Sequence, residues 1–174
     1  MRWFFFGSLM DREILEIVLD RKIDPHAFEI AFLTGYDRRR VFGESYPGLQ
    51  VKAGEVVDGV IAELSAPEDE ARILFFEATH YRLADVRVRT MNDKTVDART
   101  CLDAGAIDFE DRPWDFEIWR ATEERERLVE ITRRFMAKFG ALSEDQADAE
   151  WTAIREAVNA EWADREGPAS SAMR

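Results

Sequence analysis

Residues 2–10, Arg-Trp-Phe-Phe-Phe-Gly-Ser-Leu-Met, constrain the fold most. Trp3, Phe4, Phe5 and Phe6 form an unbroken aromatic run. A run so short and apolar reads as a buried strand. Gly7 and Ser8 break it, and a helical pattern begins near Asp11, a favoured N-cap type. Strand, small-residue loop and helix start together make an anion-holding device. Backbone N–H groups point out of such a loop, and the helix dipole favours negative charge there. A carboxylate or phosphate is therefore expected over Gly7, Ser8 and Leu9. A plain tight turn between a core strand and a helix is the alternative.

Several classes of partner are disfavoured by composition. The 174 residues carry a net charge of -12, which repels nucleic acid backbones and anionic membranes alike. With 46% hydrophobic residues the chain has enough apolar material for one globular domain or a domain with a helical appendage. Cys101 is the single cysteine, so no internal disulfide forms, and a reducing, cytoplasmic location is expected. His26, His80 and Cys101 are too few for a zinc cluster, while carboxylate-only metal sites stay open. The first apolar stretch is too short for a signal peptide and charges from Asp11 to Glu13 interrupt it, so none is expected there. No run is long enough to span a bilayer, and neither an internal repeat nor a P-loop or dinucleotide fingerprint is present.

Taken in order, Ile14, Leu15, Val18 and Leu19 share one helical face. Asp24-Pro25 is expected to end that helix, because the residue before proline leaves the helical region. Residues 27–42 predict one or two strands with a bend at Gly35-Tyr36, and the arginines at 38–40 predict a largely solvated face, one of them turned inward to a carboxylate. Pro47-Gly48 and Gly54-Glu55 predict turns. Residues 56–64 predict a strand, and Ser65-Ala66-Pro67-Glu68 a capping box opening a helix that ends at Glu77. Residues 79–90 alternate as a strand with a bulge near Ala84-Asp85, and Asn92-Asp93 turns a hairpin into residues 95–102. The mixture predicts an α+β fold: a small mixed, mostly antiparallel β-barrel or sheet with packed helices.

Beyond Cys101 the pattern changes. An acidic loop is expected over 103–113 and a helix over 114–139, closed by Gly140. A second helix opens on a Ser143/Gln146 capping box and carries Trp151, Ile154, Val158 and Trp162 on one stripe. The expected organisation is a domain over 1–102, a C-terminal helix pair within a helical extension over 103–166 packed on it, and a disordered tail over 167–174.

Glu77 is the leading chemical candidate. Its neighbours Phe75, Phe76 and Ala78 are apolar, and it sits at a predicted helix C-terminus. Both features raise a carboxyl pKa toward neutrality, as a general acid–base group needs. A solvated glutamate at a helix end is the bland reading. A Ser8 nucleophile with His80 as base and Asp85 as orienting acid lacks the nucleophile-elbow pattern. Nothing marks the Cys101 thiolate as activated.

These pieces resemble a known family. Phe6-Gly7-Ser8-Leu9 after an apolar strand looks like the Tyr-Gly-Ser/Thr-Leu loop of the gamma-glutamylcyclotransferase superfamily, its AIG2-like branch in particular. Gly35-Tyr36 with arginines, Tyr46-Pro47-Gly48-Leu49, Val57-x-Gly59-x-Ile61, and Phe76-Glu77 with Tyr81-Arg82 continue the likeness, in order, over roughly residues 2 to 102. The resemblance implies a small mixed barrel with its active site in a cavity. It also implies an enzyme of lyase or acyltransferase type that cyclises a gamma-glutamyl group to 5-oxoproline and releases an amine or amino acid. No cofactor or metal is implied, and the partner is a small gamma-glutamyl substrate. Carried over residue by residue, Glu77 is the catalytic group, Phe6, Gly7, Ser8 and Leu9 bind substrate, Tyr81 lines the pocket, and Arg82 pairs with a carboxylate. Phe6 departs from the usual tyrosine and Ala78 from a frequent glycine. The competing reading is a non-catalytic small-molecule or protein binding module on the same fold, its helical tail contacting a partner through Trp114, Trp119, Trp151 and Trp162.

Overall fold

In the computed structural model, which describes residues 1–77, 81–103, 105 and 107–166, the aromatic run forms β1 (Arg2–Phe5). Side chains alternate along a strand, and here both faces are buried. Phe4 and Phe6 point into one core with Leu33, Ile61 and Val88. Trp3 and Phe5 point into another with Ile14, Phe76 and Phe135. Aromatic residues at every position are what a strand needs when neither face meets water.

Five strands close into a barrel around the first of these cores. They are β1, β2 (Phe28–Val41), β3 (Pro47–Glu63), β4 (Tyr81–Thr90) and β5 (Thr95–Asp103). The order runs β3-β1-β5-β4-β2, and β2 pairs again with β3 to complete the ring. Only β1 with β5 is parallel, and every other pairing is antiparallel. β6 (Phe109–Pro113) adds to the outer half of β2. This is the expected α+β architecture, a mixed and mostly antiparallel barrel with packed helices.

Two tertiary features shape the barrel wall. The register between β2 and β3 shifts between Thr34 and Tyr36, where Gly35 and Gly54 both take positive φ, 92° and 88°. The bend predicted at Gly35 and the turn predicted at Gly54 are thus one irregularity inside two long strands. At Gly59 the close approach is to β1. A Cβ there would meet the Phe5 carbonyl oxygen at 2.4 Å and the Phe4 ring at 2.6 Å.

α1 (Arg12–Leu19) starts at Asp11, whose Oδ1 accepts from the N–H groups of Glu13 at 3.0 Å and Ile14 at 3.3 Å. It ends at Asp20 in the left-handed region rather than at Asp24, and Pro25 instead opens a 3₁₀ turn. α2 (Asp69–Glu77) begins at Asp69, whose Oδ2 accepts from the Ala66 N–H at 2.9 Å. The bulge predicted at Ala84-Asp85 is absent, because the β4–β5 register runs unbroken from Tyr81↔Asp103 to Arg89↔Thr95.

Past β5 the expected acidic loop contains β6, which the exposed edge of β2 recruits by backbone pairing that charged side chains do not prevent. The single helix expected over 114–139 is two. α3 (Phe116–Arg120) is capped by Asp115, and α4 (Glu123–Met136) restarts after Thr122, whose hydroxyl donates back to the Trp119 carbonyl at 2.7 Å. α5 (Glu144–Glu166) opens with the predicted box, Ser143 and Gln146 bonding reciprocally at 2.9 and 3.4 Å. Leu128, Phe135, Ile154 and Val158 from α4 and α5 join the same core as α1 and the outer face of β1. Residues 78–80 and 167–174 lie outside the described residues, and with them the readings made on Ala78, His80 and the tail.

Gly59→Ala tests the β1–β3 contact. The added methyl meets backbone rather than a yielding side chain, so the variant is expected to lose about 2–3 kcal/mol of stability. Thermal unfolding should show this as a midpoint roughly 5–10 °C lower.

Candidate active site

β1 and β5 run parallel, so their C-terminal ends lie side by side. A cavity of about 370 Å³ opens there. Phe6, Gly7, Ser8 and Leu9 form one part of its wall, and Thr100 and Cys101 of β5 another. The chain after Phe6 turns at once into a 3₁₀ turn, Ser8–Met10, whose first N–H groups have no partner within the turn itself. Gly7 packs closely here: a Cβ would lie 3.0 Å from Cγ of Pro47, a residue that also lines the cavity, and would press on that ring.

Arg38 holds this loop in place. It is the predicted inward arginine, with only a tenth of its side chain exposed. Nη1 donates to the Phe6 carbonyl at 3.0 Å and the Asp58 carbonyl at 3.0 Å, Nη2 to Asp58 Oδ1 at 2.9 Å, and Nε to the Trp114 carbonyl at 3.1 Å. Its guanidinium also stacks on the Trp114 ring at 5.3 Å. The neighbouring arginines are not the solvated face expected of them. Arg39 pairs with Asp37, and Arg40 grips Glu124 of α4 through two bonds of 3.0 and 2.7 Å.

Glu77, the last residue of α2, lines the same cavity as Ser8. Burial pushes its carboxyl from an ordinary 4.5 up to about 8. The preceding Phe76 anchors it, packing edge-on against Trp151 of α5 at 5.7 Å. Burial, reinforced by the charge of Glu77, also raises the Cys101 thiol and the phenols of Tyr46 and Tyr81. All three therefore stay protonated near neutral pH, and the cavity holds no ready thiolate.

The sequence-predicted residues divide by strand geometry. Glu77, Phe6, Gly7, Ser8, Leu9 and Tyr81 all line the cavity. Arg82 does not: it follows Tyr81 on β4, points to the other face, and is exposed. Asp85 is exposed too and lies near Arg99 at 3.7 Å, outside the cavity. Sequence reasoning missed Glu44, Tyr46, Trp151 and Arg155 as lining residues. Tyr46 was visible as part of a turn and Trp151 as part of an apolar stripe, but neither pattern says which cavity it meets. Among the described residues, no group of three or more His, Cys, Asp or Glu is placed to hold a metal ion. No described helix is long and apolar enough to cross a membrane.

The raised Glu77 carboxyl makes stability depend on pH with a definite sign. Between about 4.5 and 8 the unfolded chain has lost a proton that the native chain keeps, so stability falls as pH rises. Glu77→Gln removes this titration. The variant should match wild type near pH 4.5 and become progressively more stable relative to it, by up to about 4 kcal/mol near pH 8. Urea unfolding at a series of pH values checks this; parallel curves would mean that Glu77 titrates normally.

Residues 3–116 match the family model described as gamma-glutamyl cyclotransferase, AIG2-like. Among solved structures the chain is similar to At3g28950.1 from Arabidopsis thaliana, with 27% identity, 80% of this chain and 83% of that chain covered, and a TM-score of 0.57. It is also similar to At5g39720.1 from the same plant, at 21% identity, 78% and 90% coverage and a TM-score of 0.57. YkqA from Bacillus subtilis matches at 22% identity over 79% of this chain and 54% of that one, with a TM-score of 0.50. The last two likenesses concern the fold alone. No curated protein matches the sequence significantly.

Proposed function

This chain belongs to the AIG2-like gamma-glutamyl cyclotransferase family, and on that premise we propose that it cyclises a gamma-glutamyl group to 5-oxoproline with release of an amine or amino acid. One observation carries the reading: a carboxyl raised to about 8 shares a cavity of about 370 Å³ with the Gly7-Ser8 loop. A general acid–base group and a set of backbone donors are the two parts this reaction asks of a protein.

The substrate's own α-amine is the nucleophile. Once folded back, it attacks the γ-carbonyl in a five-membered closure with a high effective molarity. The protein must take a proton from the α-ammonium, stabilise the oxyanion, and return a proton to the leaving nitrogen. Glu77 passes that first proton to the leaving nitrogen; the cyclised nitrogen still holds one proton more than the lactam N–H, and Glu77, ionised again, takes it and hands it to the released amine, so the count closes without a second group. A carboxyl near 8 is well matched to an ammonium, and the arriving positive charge draws it toward ionisation. Backbone N–H groups of Gly7, Ser8 and Leu9, with the Ser8 hydroxyl, hold the α-carboxylate or the developing oxyanion. Arg38 contributes by fixing the Phe6 carbonyl, so the loop is organised before substrate arrives. No protein nucleophile is needed, in keeping with a buried and protonated Cys101.

Phe6 contributes its ring to the barrel core and its backbone to the loop. A hydroxyl at that position is therefore dispensable in this mechanism.

Release of 5-oxoproline from a panel of gamma-glutamyl amines, dipeptides and glutathione tests the proposal. Glu77→Gln should lower kcat by roughly 100- to 10,000-fold. In the wild type, kcat/KM should rise with pH up to about 8, the region in which Glu77 ionises. Failure of every compound to yield product, or full activity in the Gln variant, would refute the assignment.

A further inference from the structure

α5 lies wholly beyond the residues 3–116 that match the family, yet it builds part of the cavity. Trp151 and Arg155 are one helical turn apart and both line the wall. The helix is firmly held. Ile154 and Val158 are buried in the core, the Trp162 indole donates to Glu130 of α4 at 3.2 Å, and Arg134 of α4 grips Glu161 through bonds of 2.9 and 2.7 Å.

Charge within the cavity is uneven. Its lining carboxyl groups are Glu44, Glu77 and Asp148, and among the described residues Arg155 is its only cationic side chain. Arg155 forms an ion pair with Glu44. That bond leaves from Nη1 alone, whereas a guanidinium carries five N–H donors in a fixed fork. Capacity for a second carboxylate remains, and 29% of the side chain is exposed. The pair shares its cavity with the reacting region, since Glu44, Arg155, Tyr46 and Glu77 all line it.

A second cavity of about 340 Å³ shares Glu44, Tyr46, Leu128, Trp151 and Arg155 with the first. The shared wall is thus the Glu44–Arg155 pair and its neighbours. This wall belongs to the same cavity as the Ser8 loop and Glu77, so a leaving group departing from a gamma-glutamyl group held there has it within the enclosure.

We propose that Arg155 is a specificity-determining residue, taking the carboxylate of the leaving amino acid while Glu44 keeps its place on the other side of the guanidinium. The substrate class that follows is a gamma-glutamyl amino acid whose carboxylate lies next to the scissile nitrogen, in preference to the matching amine. With the Ser8 loop occupied by the gamma-glutamyl end, an anionic leaving group meets repulsion from the carboxylates of the cavity, and among the described lining side chains Arg155 is the one cation to attract it. Trp151 supports the arrangement by presenting an indole already braced against Phe76 at 5.7 Å and Phe135 at 5.2 Å. The inference rests on the proposed cyclisation for the identity of the gamma-glutamyl end.

Gamma-glutamylphenylalanine and gamma-glutamylphenethylamine differ only by the carboxylate in question. Their kcat/KM for 5-oxoproline release is to be compared in wild type, Arg155→Met and Arg155→Lys. Their equilibrium binding is to be measured in Glu77→Gln with and without Arg155→Met. Wild type should favour the acid at least tenfold. Arg155→Met should cost the acid about 10- to 100-fold, mostly in KM, and change the amine less than about threefold, because one charge-assisted fork is lost. Arg155→Lys, with the charge but not the fork, should recover part of the loss. Equal effects on both compounds, no effect on either, or a wild-type preference for the amine overturns the proposal. If neither compound nor any other member of the gamma-glutamyl panel is turned over, the cyclisation reading fails by itself. Binding to the Glu77→Gln protein then decides on Arg155, and no acid-over-amine preference there overturns it.

Discussion

One buried guanidinium holds the site together. Arg38 reaches from β2 to the Phe6 carbonyl at the end of β1, to Asp58 on β3, and to the Trp114 carbonyl beyond β6. Four chain segments far apart in sequence are thereby referred to one planar group whose donors point in fixed directions. Burying such a charge is costly unless its hydrogen bonds are made, and here carbonyl and carboxylate acceptors meet it on every edge. The Gly7-Ser8 loop inherits that rigidity. A loop that must aim backbone N–H groups at an anion works best when its geometry is set in advance.

Glu77 stands in the opposite situation. Its carboxyl is buried so that its charged form is disfavoured, and it titrates near 8. The protein gives up stability as pH rises from about 4.5 to 8 to keep a proton acceptor whose affinity lies close to that of an amine. Phe76 and Trp151 pack edge-on beside the α2 end and line the same cavity. The cavity is thus an aromatic-rich enclosure with few charges, supplied by α2, α5 and the turn before β3.

The C-terminal helices belong to this economy of packing. Arg125 of α4 bonds to both oxygens of Asp11, at 2.8 and 3.1 Å, while Asp11 caps α1. The loop, the first helix and the helix pair therefore meet at one carboxylate. Phe135 stacks on Phe75 at 4.6 Å and meets Trp151 edge-on at 5.2 Å, which ties α2, α4 and α5 into a single aromatic cluster. Docking of the tryptophan stripe within the chain follows from those contacts.

Much of this architecture was legible in local pattern. The aromatic run, the Asp11 cap, the Asn92-Asp93 hairpin and the Ser143/Gln146 box each depend on neighbours a few residues away, so sequence alone determined them. Apolar neighbours and a helix end likewise marked Glu77 before any coordinates did. Tertiary structure decided the rest. β6 became a strand only because the edge of β2 was there to pair with it. Arg82 left the cavity because Tyr81 took the inward face of β4. Arg155 and Glu44 met across 111 residues of chain, a pairing that no local periodicity encodes. Propensity and periodicity act over a few residues, whereas a cavity wall is set by which distant surfaces closure of the barrel and docking of α5 bring together.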